Sequence, residues 1–111
     1  MTCYLGNAFS AGMLDTLAEG SVNVTFTLLT VEQASAWVRE HAPRSCVGHA
    51  DTAALVSALL DTEVALNRVS TSLRPGDKLL VAQYNGARLP EGATALPEGA
   101  SLRWILATLA G

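Results

Sequence analysis

The stretch LRPGDKLLVAQYNG, residues 73–86, decides the fold of this chain. Pro75 and Gly76 are typical of a tight turn, and the residues after them predict a strand from Lys78 to Tyr84. The centre of that strand is continuously apolar, a pattern typical of strands with both faces covered. We therefore expect this strand to take a middle position in a sheet.

Other strands are predicted on both sides of this one in the sequence. SVNVTFTLL alternates between apolar and polar residues, which predicts a half-buried strand with Val22, Val24, Phe26 and Leu28 on its inner face. The alternation of Leu102, Trp104 and Leu106 predicts a C-terminal strand. The opening TCYLGN and the region from Val64 to Leu73 are expected to supply the remaining strands.

Two helices are predicted between the strands. Thr30 and Gln33 have the spacing of a capping box, and the apolar residues after them recur at helical intervals until Pro43. The first helix is therefore expected from Val31 to about His41. A second helix is expected to run to about Leu60, with Asp51 or Thr52 as its N-cap.

The chain has 111 residues, a length typical of one domain, and no linker divides it. Strands and helices are interspersed, while the last two strands form a hairpin-like pair, which excludes a purely parallel repeat. We predict an α+β fold: a compact single domain over residues 1–111, with a mixed, mainly antiparallel sheet of about five strands flanked by helices.

Composition argues against several classes of protein. The net charge is −3 with only seven Lys and Arg, which disfavours a broad surface for duplex DNA. Apolar runs are too short to span a membrane, and the N-terminus lacks the pattern of a secretory signal, so we expect a cytoplasmic protein. Cys3 and Cys46 are expected to be buried thiols, and no metal-ligand spacing or cofactor motif is found.

Three residues are candidates for chemistry. His49 follows Gly48 where a strand or turn meets the second helix, and the free N–H groups of a helix N-terminus favour a bound phosphate. Arg88 and Glu91 flank Leu89-Pro90 in a long loop that contains LPEGA twice. From the residues alone, a histidine with a purely structural role and a solvated surface pair remain the commoner cases.

Several polar residues lie where they could face a ligand. Asn7 and Ser10 follow the first strand, while Arg68 and Gln83 interrupt strand-like segments. Arg68 and Gln83 could instead simply mark the solvent side of their elements. His41, at the end of the first helix, is assigned no chemical role.

The segments YLGNAFSAGML, VGHADTAALVSALL and NRVSTSLRPGDKLLVAQYNGARLPEGATALPEGA resemble a family of small proteins of viruses and mobile elements. These are the anti-CRISPR ring nucleases, which degrade cyclic tetra-adenylate, the second messenger of type III CRISPR defence. The resemblance implies a homodimer with a twofold-symmetric pocket for the cyclic nucleotide. It implies His49, Arg88 and Glu91 as catalytic residues and Asn7, Ser10, Arg68 and Gln83 as substrate contacts, with Glu98 of the second LPEGA confined to a turn.

The implied reaction needs neither metal nor cofactor. A ribose 2′-OH attacks the adjacent phosphorus, linear di-adenylates are released, and type III CRISPR signalling is switched off, in the host cytoplasm if the protein is encoded by a virus. A dimer that binds the messenger as a sponge or sensor, without cleaving it, is the alternative. A structural or DNA-associated accessory protein is a third possibility, which the acidic composition disfavours.

Overall fold

The computed structural model describes residues 1–14 and 19–110. This part of the chain contains five strands and two helices, in the order β1 (Cys3–Gly6), β2 (Val24–Leu29), α1 (Val31–His41), β3 (Arg44–Ser45), α2 (Ala50–Leu60), β4 (Lys78–Asn85) and β5 (Ser101–Leu109). A short 3₁₀ turn, Ala11–Leu14, follows β1.

The strands form one mixed sheet in the order β2-β5-β4-β1-β3. β1 is parallel to both β4 and β3. β5 is antiparallel to β4 and to β2, and these antiparallel ladders are the longer ones. The predicted α+β class, the mixed sheet and the final hairpin-like pair are therefore confirmed.

β4 has the predicted middle position because both of its faces are covered. Leu80 and Ala82 pack into a core cluster with residues of α1 and α2. Leu79 and Val81 point to the opposite face and pack with Leu73 and with apolar residues that follow β1. All four strand residues are at most 3% exposed. The continuous apolar run is thus the expected signature of a strand without a solvent face.

α1 begins and ends at the predicted residues. Thr30 Oγ1 accepts a hydrogen bond from the Gln33 amide at 3.1 Å, and Gln33 Oε1 accepts one from the Thr30 amide at 2.9 Å. This reciprocal pair is the capping box that the sequence predicts. Ala42 then adopts a left-handed conformation with φ of 44°, directly before Pro43.

α2 ends at Leu60 as predicted, but its N-cap is His49 rather than Asp51 or Thr52. The backbone of His49 is extended, and its carbonyl accepts the first helical hydrogen bond, from the Ala53 amide at 2.9 Å. Asp51 and Thr52 therefore already lie inside the first turn. No side-chain hydrogen bond caps this helix.

β2 exists as predicted, but the expectation that its apolar side chains are half-buried is wrong for most of the strand. Phe26 is 53% and Leu28 is 63% exposed, and Val22 precedes the strand. β2 lies at the edge of the sheet, and the face that carries Phe26 is opposite the helices. There Phe26 contacts the ring of Phe9 edge-on, at 5.4 Å between centroids.

The strand expected between Val64 and Leu73 is absent from this described segment, which is irregular instead. Its hydrogen bonds run to β3 and the residues after it. The Ser45 hydroxyl donates to the Ala65 carbonyl at 2.6 Å, and the Asn67 amide donates to the Val47 carbonyl at 2.9 Å. Because side chains make part of these bonds, the segment covers the edge of β3 without forming a ladder. β3 itself was not predicted.

Candidate functional site

The carboxyl ends of three parallel strands, β1, β4 and β3, meet at one edge of the sheet. In sheets with parallel strands, ligands commonly bind beyond the carboxyl ends. Asn7 follows β1 at this edge, and its side-chain oxygen accepts a hydrogen bond from the Gly48 amide at 3.2 Å. His49 comes next and begins α2 with an exposed side chain. His49 therefore lies where the N-terminus of α2 meets the edge of the sheet that carries these strand ends.

A cleft of about 310 Å³ opens beside His49. One wall is the start of α2, with His49, Asp51 and Thr52, and the other is Tyr84 together with residues 86–89 of the loop after β4. We call it the His49 cleft. Two of the predicted catalytic residues, His49 and Arg88, line it, although they belong to separate segments of the chain.

The backbone on either side of Arg88 is held in place. The Tyr84 hydroxyl donates a hydrogen bond to the Ala87 carbonyl at 2.6 Å. Leu89, on the other side, is 8% exposed and so anchors the loop to the body of the protein. Arg88 itself is exposed between these two anchors.

The two LPEGA segments form the same turn. The Ala93 amide donates to the Pro90 carbonyl at 3.2 Å, and the corresponding bond in the second copy measures 3.0 Å. Gly92 and Gly99 both have positive φ, 72° and 79°, which glycine adopts without strain. The copies differ in their leucines, because Leu89 is buried whereas Leu96 is 38% exposed.

Glu91, the third predicted catalytic residue, lies at the exposed tip of the first of these turns. It is not among the residues that line the His49 cleft. Glu98 occupies the equivalent place in the second turn and is exposed as well. His49 and Arg88 therefore line one cleft, whereas Glu91 is not part of its lining, and the catalytic role of Glu91 stays a prediction.

The predicted substrate contacts lie around the same edge of the sheet. A side chain added at Gly48 would place its Cβ 3.5 Å from Cγ of Arg68, so the stem of Arg68 passes over the residue before His49. Ser10 faces a separate cleft of about 330 Å³, which Ser70 and Thr71 also line. Asn7 and Arg68 are thus neighbours of Gly48, whereas Ser10 is not in the His49 cleft.

Gln83 is at the carboxyl end of β4 but on the other face of the sheet. Side chains alternate along a strand. Tyr84 lies on the face of Leu80 and Ala82, toward the helices, so Gln83 lies on the face of Leu79 and Val81. Its side chain is exposed and its strand partner is Arg103. A ligand confined to the His49 cleft would not reach it.

Cys46 lies close to this edge of the sheet but has the features of a structural thiol. Burial raises the pKa of the Cys46 thiol above its ordinary value, and a hydrogen bond with Thr71 offsets only part of that rise. The thiol donates weakly to the Leu5 carbonyl at 3.5 Å. Both cysteines are half-buried rather than fully buried, and both are free.

Asp51, Thr52 and Tyr84 also line the cleft, and the sequence analysis assigns none of them to a ligand site. The sequence contains one feature that could have identified Tyr84: its spacing from Leu80 and Ala82 puts it on the helix-facing side of β4. Asp51 and Thr52 were interpreted as caps, although a position in the first helical turn after His49 also brings them near a bound anion.

The described residues include no group of three or more His, Cys, Asp or Glu side chains placed to hold a metal ion. In residues 1–14 and 19–110, no helix has the length and apolar character that crossing a membrane requires.

Residues 3–100 match the STIV B116-like family of proteins. A segment of 64 residues is 38% identical to uncharacterized protein 26 of Sulfolobus islandicus filamentous virus, and it covers 58% of this chain and 53% of that protein. The chain therefore spans about half the length of this relative. B116 of Sulfolobus turreted icosahedral virus has the same fold, with a TM-score of 0.81 at 23% identity over 97% of this chain and 99% of B116.

Proposed function

The chain belongs to the STIV B116-like family, and we propose that it is a ring nuclease that cleaves cyclic tetra-adenylate without a metal ion. The proposal rests on the resemblance to ring nucleases described above and on one observation. His49 and Arg88, which the resemblance names as catalytic, line the same cleft beside the N-terminus of α2. A phosphate in that cleft would meet free helical N–H groups, an imidazole and a guanidinium.

The size of the cleft favours a homodimer as the working form. A volume of about 310 Å³ is at the lower end of the range for small-ligand pockets. One such cleft is too small for four nucleotides, but a twofold pair of protomers would offer two of them to a ligand that has matching symmetry. The proposed dimer thus holds one cyclic nucleotide and has two sites for cleavage.

The proposed reaction uses the nucleophile that RNA carries. A ribose 2′-OH attacks the adjacent phosphorus in line and loses its proton to water, the bond to the 5′-oxygen breaks, and a 2′,3′-cyclic phosphate forms. Positioning dominates the rate of such a reaction. Protonated His49 donates a proton to the departing 5′-oxygen. Arg88 stabilises the negative charge that develops on the phosphoryl oxygens. Cleavage at both sites yields two linear di-adenylates, and the proposed place of action is the cytoplasm, where loss of the messenger would end type III CRISPR signalling.

The charge distribution agrees with an anionic ligand at this edge of the sheet. The chain has a net charge of −3, and two of its seven cationic residues, Arg68 and Arg88, lie beside Gly48 and His49. Asp51 also lines the cleft, and its carboxylate can accept a proton or a hydrogen bond from a ribose hydroxyl. A small cluster of this kind suits a compact nucleotide rather than a long phosphate backbone.

Incubation of the purified protein with cyclic tetra-adenylate in excess chelator tests the proposal. We expect linear di-adenylates with a 2′,3′-cyclic phosphate end, separated by liquid chromatography and identified by mass. Light scattering of the same sample is expected to give the mass of a dimer. The absence of both binding and cleavage would refute the proposal.

One observation favours the alternative, a dimer that binds the cyclic nucleotide as a sponge or sensor. Glu91 lies on an exposed turn and does not line the His49 cleft, so only two of the three residues that the resemblance names as catalytic line that cleft. In the same incubation, recovery of the intact cyclic nucleotide in a tight complex would support the sponge against the nuclease.

The role of Glu91 can be tested against a matched residue of the same chain. Glu91 and Glu98 occupy equivalent places in two turns of the same geometry, so replacement by alanine has similar structural consequences at both. If Glu91 orients the ribose or the histidine, Glu91→Ala lowers the cleavage rate about tenfold or more, while Glu98→Ala leaves it unchanged. Single-turnover rates would reveal the difference, and equal rates for the two variants would remove Glu91 from the catalytic set.

A further inference from the structure

Tyr84 lines the His49 cleft, and its hydroxyl donates a hydrogen bond to the backbone of the loop that carries Arg88. The residue lies near the end of β4, in register with Leu102 of β5, and is half-buried. Its hydroxyl donates to the Ala87 carbonyl at 2.6 Å, a short distance for this type of bond. The strand thus provides a rigid base from which the tyrosine ring reaches over to the loop.

The chain between Tyr84 and Ala87 has little room to move. A Cβ at Gly86 would lie 2.7 Å from the Cβ of Ala100 and 3.0 Å from the Tyr84 hydroxyl oxygen. Only glycine fits at this close approach. At Gly86 the backbone is therefore packed closely between the Tyr84 hydroxyl and Ala100, the residue before β5.

Arg88 lies two residues after Gly86 and directly before buried Leu89. A hydrogen bond fixes the carbonyl of the residue before Arg88, and apolar packing fixes the residue after it. An arginine side chain has many rotamers, so a fixed backbone on both sides restricts where the guanidinium can reach. We infer that Tyr84 is a positioning residue that holds Arg88 in the His49 cleft, an inference that rests on the proposed function.

Tyr84→Phe removes the hydroxyl and keeps the ring, so the variant is expected to fold. We expect its maximal cleavage rate to fall about tenfold, the effect of one lost hydrogen bond that positions a reacting group, with the Michaelis constant little changed. If Tyr84 acts through Arg88, the same change in an Arg88→Ala background causes no further loss. Additive losses in the double variant would overturn the inference, as would a tenfold loss in Tyr4→Phe, the matched change at the other tyrosine of the chain.

A second measurement does not depend on the proposed function. Trypsin cuts after exposed arginines, so its rate after Arg88 reports how firmly the loop is held, while its rate after Arg103, within β5, reports global unfolding. Tyr84→Phe is expected to raise the first rate several-fold relative to the second, and Tyr4→Phe is expected to leave the ratio unchanged. An unchanged ratio in Tyr84→Phe would refute the anchoring role even if the protein cleaves cyclic tetra-adenylate. A raised ratio in a protein that neither binds nor cleaves it would refute only the proposed function.

Discussion

His49→Ala is expected to bind cyclic tetra-adenylate as tightly as the unchanged protein and to cleave it about 10²- to 10⁴-fold more slowly. The imidazole is assigned to the departing 5′-oxygen, which bears developing charge only in the transition state, so its loss lowers the rate rather than the affinity. Rapid-quench kinetics for cleavage and calorimetry for binding measure the two quantities separately. An unchanged cleavage rate would contradict the assignment of His49 as general acid.

The leaving group offers a sharper test of the same assignment. A substrate with sulfur in place of the bridging 5′-oxygen expels a thiolate, which needs little protonation. His49→Ala is expected to cleave that substrate nearly as fast as the unchanged protein does. His41→Ala serves as the control, since His41 lies at the end of α1 with its ring stacked on Trp37, at 4.6 Å between centroids. Failure of the thio substrate to restore the rate would assign His49 to another step.

Arg88→Ala is expected to lower the cleavage rate about 10²- to 10³-fold, the usual effect of removing a group that stabilises transition-state charge. The reason is geometric as well as electrostatic, because a guanidinium can give two parallel hydrogen bonds to phosphoryl oxygens. Arg88→Lys is therefore expected to cleave faster than Arg88→Ala but more slowly than the unchanged protein. An ammonium group keeps the positive charge but cannot donate two parallel hydrogen bonds to the phosphoryl oxygens.

A second arginine, Arg74, tests whether the effect depends on the position of Arg88 or only on the net charge of the protein. Arg74 has an exposed side chain in the turn before β4, so Arg74→Ala removes the same charge from another part of the surface. We expect Arg74→Ala to cleave at the unchanged rate. A different result would contradict the catalytic role of Arg88. If Arg88→Ala lowered kcat/KM and the binding affinity by the same factor and left kcat unchanged, Arg88 would contact the substrate equally in the ground state and the transition state.

The elements with strong local signals were predictable in detail. The limits of α1 follow from the Thr30–Gln33 capping box and from Pro43, which act through hydrogen bonds and sterics within one turn. The middle position of β4 follows from an apolar run that only a doubly covered strand tolerates. In both cases a few neighbouring residues are enough to predict the element.

The failures have a common physical cause. Alternation along β2 was interpreted as burial, yet the strand lies at the edge of the sheet, where little covers Phe26 and Leu28. Apolar residues near Val64 predicted a strand, but the segment bonds to Ser45 and its neighbours partly through side chains and forms no ladder. Periodicity reports which side chains share a face, and it contains no information on whether another element covers that face.

For the candidate site, sequence by itself determined the residue types: a histidine before a helix, an arginine beside a proline in a long loop, and two identical turns. Only the tertiary structure decided that His49 and Arg88 line one cleft while Glu91 and Gln83 do not, and that Leu89 is buried whereas Leu96 is exposed. The physical reason is that backbone conformation depends on interactions within a few residues, whereas juxtaposition and burial depend on how distant strands pair in the sheet.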